Sequence, residues 1–445
     1  MTLSAAGVRL SEWFERWFPD PFVFAAAAVA LVFGASVAVG NSPVQSAEWF
    51  GQGFWELVKF TMQMAMIIVS GFAVATSTPV ERLIRRLASV PRTGRGAAAY
   101  VATFAMLSSL LSWSFSLIFS GLLAREVARR VKGSDYRALG AAAYMGLGSV
   151  WALGLSSSAA LIMASPGSMP PALLKISGVV PLTETLLLWQ NLLMAGTLLA
   201  VSVVIAWVSA PEPEHARGMP EEPHLPAIES RARRPGEWLE HSPLLSLFLA
   251  ALGLVYLGAT VAAKGPTELL DLNNYIFLFL VLGLLLHWRP ASFIKAVGRA
   301  VPATSGVLIQ YPLYAGILKM LTESGLARRL AHVFVEFSTQ TTFPILVSLY
   351  SAILGLFVPS AGGKWLIEAP YLMEAAKTLQ VHPGWVVQVY NAAEALPNLI
   401  HPFWMLPLLG ILNLRARDIV GYSAIQFAFH VPLVLLLVYS LNLTF

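Results

Sequence analysis

Four short runs in this sequence place polar or helix-breaking residues inside otherwise apolar stretches. Ser112, Ser114 and Ser116 alternate with Trp113 and Phe115. Ser156, Ser157 and Ser158 follow Gly154. Pro359, Ser360, Gly362, Gly363 and Lys364 make a third run, and Asn391, Glu394 and Asn398 a fourth, with His401 just beyond. Breaking a helix frees backbone N–H and C=O groups. A new N-terminus is partly positive and suits an anion, while freed carbonyls and hydroxyls suit Na⁺ or a proton-carrying water. Taken singly, each Ser is as well explained by close helix packing; four runs in matching positions favour a binding site.

Glu394 is the most informative acid. A charge deep in a span costs at least about 2.5–3.5 kcal/mol, so such a residue is expected to be paired and functional. It could carry a coupling proton, hold Na⁺ or pair with Lys364, and His401 could join a relay. A transient Na⁺ is expected near Ser114, Ser360 and Asn398, with no other metal and no cofactor. Lys364 either pairs with a substrate carboxylate or snorkels to the outer interface. No Arg lies in the middle of an apolar span. A di- or tricarboxylate would normally want a guanidinium fork, so the pattern favours a monocarboxylate. Trp113, Phe115, Trp151 and Trp365 could wall a small apolar tail. His430 reads as a satisfied packing residue, and Glu56 with Lys59 as a solvated pair at helical spacing.

These residues need a membrane around them. Of 445 residues, 57% are hydrophobic and only 12% charged, and the mean hydropathy is +0.68. Soluble domains carry about 25% charged residues; half that share leaves no wettable surface. The net charge of +5 belongs to loops that stay cytoplasmic rather than to nucleic-acid binding. The absence of Cys excludes disulfides and thiol chemistry. Plain spans of about 20 apolar residues fall at 22–40, 54–76, 139–163, 182–210, 243–263, 275–288, 301–320, 385–412 and 419–441. The first is read as uncleaved, because its polar lead-in is long and mixed in charge.

Two further apolar stretches, 97–123 and 343–373, are interrupted at their middles. The first lies between basic loops holding Arg82, Arg85, Arg86, Arg92 and Arg95 before it and Arg125, Arg129, Arg130, Lys132 and Arg137 after it. Both loops belong in the cytoplasm. A re-entrant hairpin keeps them there, whereas a simple span exports one. The second stretch, flanked by Glu323, Arg328, Arg329 and Glu336 and then Glu368, Glu374 and Lys377, reads as an opposed hairpin from outside. The expected fold is all-α, with about nine spans and two hairpins, N-terminus inside and C-terminus outside; the alternative is eleven simple spans. Residues 1–21 form a cytoplasmic N-terminus and 211–241 a solvated cytoplasmic linker. Residues 22–210 and 273–441 share an order of parts at an offset of roughly 245 residues, including amphipathic segments at 80–90 and 324–334. With the 243–263 span between them, they read as an inverted repeat, the pattern of secondary transporters with a midplane site.

No enzyme pattern is present: no phosphate-binding Gly-Lys loop, no HExxH and no Gly-x-Ser-x-Gly. A passive channel would need a continuous polar face along several spans. A membrane enzyme acting on acyl groups would need a nucleophile–base–acid set. Neither is seen. The reading predicts that Ser156→Ala or Glu394→Gln abolishes uptake.

Several runs carry a resemblance: Trp17-Phe18-Pro19-Asp20-Pro21; Gly53-Phe54-Trp55; Ala124-Arg125-Glu126-Val127-Ala128-Arg129-Arg130 with Gly133-Ser134-Asp135-Tyr136; Pro359-Ser360-x-Gly362-Gly363-x-Trp365; and Glu394, Asn398 and Pro402-Phe403-Trp404. Over nearly its whole length the chain resembles the short-chain fatty acid transporter family (AtoE-type), within a wider ion-transporter superfamily. The resemblance implies uptake of acetoacetate- or butyrate-like acids across a bacterial cytoplasmic (inner) membrane, amphipathic arm helices, a homodimer, and a transport domain sliding past a fixed scaffold. One departure is the first broken span, Trp151-Ala152-Leu153-Gly154-Leu155-Ser156, where the family is richer in Gly; this bears on substrate preference.

Overall fold

The computed structural model describes residues 16–17, 21–219, 234–357, 361–400 and 403–445. Every regular element among them is helical. The first half runs α1 (Pro21–Ala38), α2 (Pro43–Phe54), α3 (Val58–Ala75), α4 (Thr78–Leu87), α5 (Gly94–Leu111), α6 (Trp113–Arg130), α7 (Tyr136–Met145), α8 (Ser158–Ala164), α9 (Pro171–Ser177) and α10 (Trp189–Ser209). The second runs α11 (Leu244–Lys264), α12 (Leu272–His287), α13 (Pro290–Ala300), α14 (Ser305–Glu323), α15 (Leu326–Phe337), α16 (Phe343–Phe357), α17 (Ala361–Thr378), α18 (Pro383–Asn398), α19 (Leu406–Leu412) and α20 (Ala416–Asn442).

Five helical stretches among the described residues are long and apolar enough to cross a membrane: α3, the stretch from α7 to α8, α10, α11 and α20. Leu249, Leu252 and Val255 on α11 are exposed, a face that suits lipid rather than water. The charge-poor connection at 41–53 is largely the helix α2, which packs on α14. The amphipathic segments appear as α4 and α15. Arg85 and Arg86 end α4, where cations suit the helix dipole. The linker's start is pinned rather than free: Glu212 pairs with Arg95 at 2.9 Å, and the Arg217 N–H donates to Asp135 at 3.0 Å. Residues 220–233 of that linker lie outside the described residues.

Interruption of the stretch 97–123 is achieved with one residue. Ser112 takes an extended backbone (φ −151°, ψ 114°), ends α5 and caps α6 by accepting from the Phe115 N–H. The two helices then lie against each other, with the Ser116 hydroxyl reaching back to the Ala105 carbonyl at 2.7 Å. In the stretch 343–373, α16 and α17 are likewise linked across their lengths by Tyr350–Tyr371 at 3.0 Å. The span at 139–163 breaks as expected. After α7 come a π-helical turn (Gly146–Val150), a 3₁₀ turn (Trp151–Leu153) and non-helical residues up to Ser157, which caps α8 through the Ala160 N–H.

The span at 385–412 breaks later than the sequence suggested. α18 continues unbroken through Asn391, Glu394 and Pro397 to Asn398. Pro397 lies in its last turn, where it forfeits only the bond to the Ala393 carbonyl and does not break the helix before Asn398.

Candidate functional site

The interruptions meet at one cleft. Trp113 opens α6, Trp151 lies in the 3₁₀ turn, Ser158 opens α8, Gly362 lies in the first turn of α17, and Asn398 closes α18; with Trp404 and Tyr311 they line about 420 Å³ of atom-free space, part of it continuous with the exterior. Most of the wall is aromatic or aliphatic, and Ser158 and Asn398 are its polar points. Tyr311 is held by stacking on Phe60 at 5.6 Å. The N-terminus of the long helix α17 faces the space through Ala361 and Gly362, and such an end favours negative charge.

Behind that N-terminus lies a buried ionic cluster. Lys364 Nζ is 2.5 Å from Glu394 Oε2 and 3.6 Å from Glu368 Oε1. It also donates to the Ser351 carbonyl at 2.5 Å and sits 4.8 Å from the centre of the Tyr390 ring. Lys364 and Glu368 are 0% exposed and Glu394 2%. The Ser351 hydroxyl donates to Glu368 Oε2, whereas Glu368 Oε1 has no hydrogen-bond partner among the described residues. Gly355 lets α16 come this close: a Cβ there would be 3.3 Å from Glu394 Oε2 and 3.4 Å from Lys364 Nζ. Buried charges persist only when paired and hydrogen-bonded, so each helix contributes something the others need.

This decides between the alternatives for Lys364, in favour of the pair with Glu394, and corrects two expectations. Lys364 does not snorkel to an interface; it is enclosed by two carboxylates, a carbonyl and a ring. Glu368, read from sequence as a polar flank beyond the hairpin, is a buried member of the cluster. Its signal was present as the i,i+4 spacing from Lys364, which places both on one face of α17. Glu56 and Lys59 do not pair with each other either. Glu56 binds Lys319 at 2.6 Å and Lys59 the Gly167 carbonyl at 2.7 Å, because α2 meets α14 and α3 starts a new helix after Leu57.

The hydroxyls of the first half are largely engaged with backbone. Ser114 donates to the Ile67 carbonyl at 2.9 Å, lies 3.3 Å from the Ser112 hydroxyl, and Ser156 donates to the Ser109 carbonyl. Among the sequence-predicted site residues, two bonds cross between halves: Ser157 to Asn391 Oδ1 at 3.0 Å, and Asn398 Nδ2 to the Leu147 carbonyl at 3.1 Å. Gly363 is buried in the first turn of α17. Trp365 packs at a tilt against Tyr390 at 4.7 Å, and Phe115 stacks on Phe119 at 5.2 Å; neither lines the cleft. Ser114 and Asn398 face different cavities. Pro359, Ser360 and His401 lie outside the described residues. His430 is satisfied as expected, by Ser202 at 2.9 Å and the Gln426 carbonyl at 2.8 Å.

With this geometry in view, comparison supplies the family. The sequence profile described as "Short chain fatty acid transporter" matches residues 2–441. The chain belongs to that family. A provisionally named short-chain fatty acid transporter of Escherichia coli (strain K12) is 35% identical over 421 residues, covering 93% of this chain and 94% of that protein. Its counterpart from Haemophilus influenzae is 32% identical over 445 residues, covering 97% and 98%. These relatives are transporters, and the family is one of membrane transporters rather than enzymes. Two solved structures share the fold. The YdaH transporter of Alcanivorax borkumensis superposes with a TM-score of 0.61 at 16% identity, covering 95% of this chain and 98% of that one. MtrF of Neisseria gonorrhoeae, described as illuminating a class of antimetabolite efflux pumps, gives 0.53 at 14% identity, covering 98% and 96%. At those identities the likeness speaks for the fold alone.

Proposed function

We propose that this family member is a secondary active transporter that takes up short-chain monocarboxylates of the acetoacetate and butyrate kind across the bacterial cytoplasmic membrane. The observation that carries the reading is the convergence of the helix breaks on one largely apolar cleft beside a buried cluster of one cation and two carboxylates. A helix N-terminus and a few polar points suit one carboxylate; aromatic walls suit a short tail. The lack of a guanidinium at the cleft disfavours substrates with two or three carboxylates.

Coupling is assigned to the cluster. Fully ionised, Lys364, Glu368 and Glu394 sum to −1, which a buried site tolerates poorly. Binding one proton neutralises it. H⁺ is therefore the favoured coupling ion, and Na⁺ held near Ser114, Ser360 and Asn398 is the alternative. A monocarboxylate moving with one proton is electroneutral and follows the pH gradient. Movement with a further cation would also draw on the membrane potential, about 2.3 kcal/mol per charge per 100 mV. The paired order of helices in the two halves supports an inverted repeat with opposed hairpins at 97–123 and 343–373, and an elevator-type movement of the cleft. The N-terminus is assigned to the cytoplasm and the C-terminus to the outside by the basic loops, and a homodimer by the family resemblance.

The test is uptake of labelled acetoacetate and butyrate into proteoliposomes under an imposed pH gradient and, separately, a Na⁺ gradient. Protein-free vesicles must be subtracted, because undissociated short-chain acids cross lipid unaided. Gradient-driven uptake of one acid, blocked by the other, supports the reading and names the ion. Uptake equal to protein-free vesicles under both gradients, with folded and inserted protein, overturns it.

A further inference from the structure

The central cleft is the last of three cavities in series. A wide basin at the surface is lined by Arg82, Arg289, Lys295 and Arg299, with His241 and one acid, Glu81. A second cavity lies between α3, α6, the turn after α13, and α19. It holds about 890 Å³ of atom-free space, part of it continuous with the exterior, and its walls are mainly apolar, among them Ile68, Phe72 and Leu117. Arg299 lines both of these cavities. Trp113 and Trp404 line both the second cavity and the central cleft. Their rings meet edge to face at 5.3 Å, so this pair is the partition between them.

Arg299 forms no ion pair among the described residues, and the apolar vestibule beside it offers its charge no carboxylate. A guanidinium at the mouth of an apolar chamber is complementary to one carboxylate on a short hydrocarbon tail. We propose that this vestibule is a second carboxylate subsite, anchored by Arg299 and closed from the central cleft by the Trp113–Trp404 pair. It takes the same short-chain monocarboxylates as the cleft, and so rests on the transport reading for its ligand class. The basin concentrates anions, the vestibule holds one, and the tryptophan pair must part before the acid reaches Ser158 and Asn398.

The natural absence of Cys makes a clean test. Ala303 lines the vestibule and is exposed, so Ala303→Cys supplies a single thiol. Its alkylation by a membrane-impermeant maleimide is followed in nanodiscs, where both faces are open. Acetoacetate should slow the reaction several-fold. Adding Arg299→Gln should remove that protection and raise the KM for acetoacetate about tenfold with kcat little changed, the loss expected for one charge-assisted contact. Arg299→Lys should keep part of both effects, and it serves as the test if the Gln variant does not fold. Absence of protection in Ala303→Cys, protection that survives Arg299→Gln, or a fall in kcat without a rise in KM overturns the subsite. Protection at Ala303 in a protein that transports no monocarboxylate would uphold the subsite and sink the transport reading instead.

Discussion

The two halves interrupt their helices with different chemistry. In the first, Ser114, Ser116 and Ser156 all donate to backbone carbonyls, those of Ile67, Ala105 and Ser109. Each bond contributes about 1 kcal/mol and changes no charge. In the second, the start of α17 is backed by Lys364, Glu368 and Glu394, all buried. There, removing one partner costs about 3–5 kcal/mol, because it strands the others. One half therefore shapes the cleft with fixed hydrogen bonds, and the other stores charge beside it. Proton-dependent behaviour belongs to the second.

The largest effect should come from Lys364→Met, which leaves two carboxylates buried without a cation. It should destabilise the purified protein by about 3–5 kcal/mol, read as a lower unfolding temperature in detergent. Lys364→Met with Glu394→Leu should recover much of the loss; a single variant as stable as wild type would break the comparison. Glu394→Gln keeps the shape and removes a charge. Uptake should fall to background with expression and elution profile unchanged, and near-normal uptake would move coupling out of the second half.

In the first half the sensitive feature is close approach. A Cβ at Gly154 would lie 2.7 Å from Leu110 Cα, so Gly154→Ala should push the broken span off the end of α5 and cost about 1–3 kcal/mol. An unchanged unfolding temperature would show that this contact is looser than described. Ser156→Ala should be milder than its type alone suggested. Its hydroxyl is committed to the Ser109 carbonyl and does not line the cleft, so uptake should drop a few-fold, with about 1 kcal/mol lost. Complete loss with normal folding would mean the hydroxyl meets substrate in another conformation.

The smallest effect concerns Asp135, in the loop before α7. Burial pushes its carboxyl up, but hydrogen bonds from the Arg137 guanidinium and from the Arg217 and Ala138 N–H groups outweigh this and hold it below the usual range. A carboxylate held low stabilises the fold above its unfolded value of about 3.9, and the benefit is lost as pH falls through the folded value. Asp135→Asn should thus unfold earlier than wild type at neutral pH, with the gap closing below about pH 4. A gap of the same size at every pH from neutral down to well below the unfolded value would assign it to shape rather than charge.

Composition and hydropathy alone determined that this is a helical membrane chain, because apolar runs of span length with so few charges have no other solvent. The types and spacing of Ser and Gly also located the breaks near 112 and 154, since Gly and Ser disfavour helix locally wherever the chain goes. Sequence misjudged residues 391–398, where Asn and Pro are tolerated to the end of α18 because Pro397 falls in its last turn. It did not show that Glu368 faces inward, that Gly355 lets α16 approach Lys364, or that Trp113 meets Trp404 across almost three hundred residues. Those facts depend on which helix faces which, and only packing decides that: a buried lysine becomes a cluster, and the arginine in the last turn of α13 comes to line two cavities, when distant helices close around them.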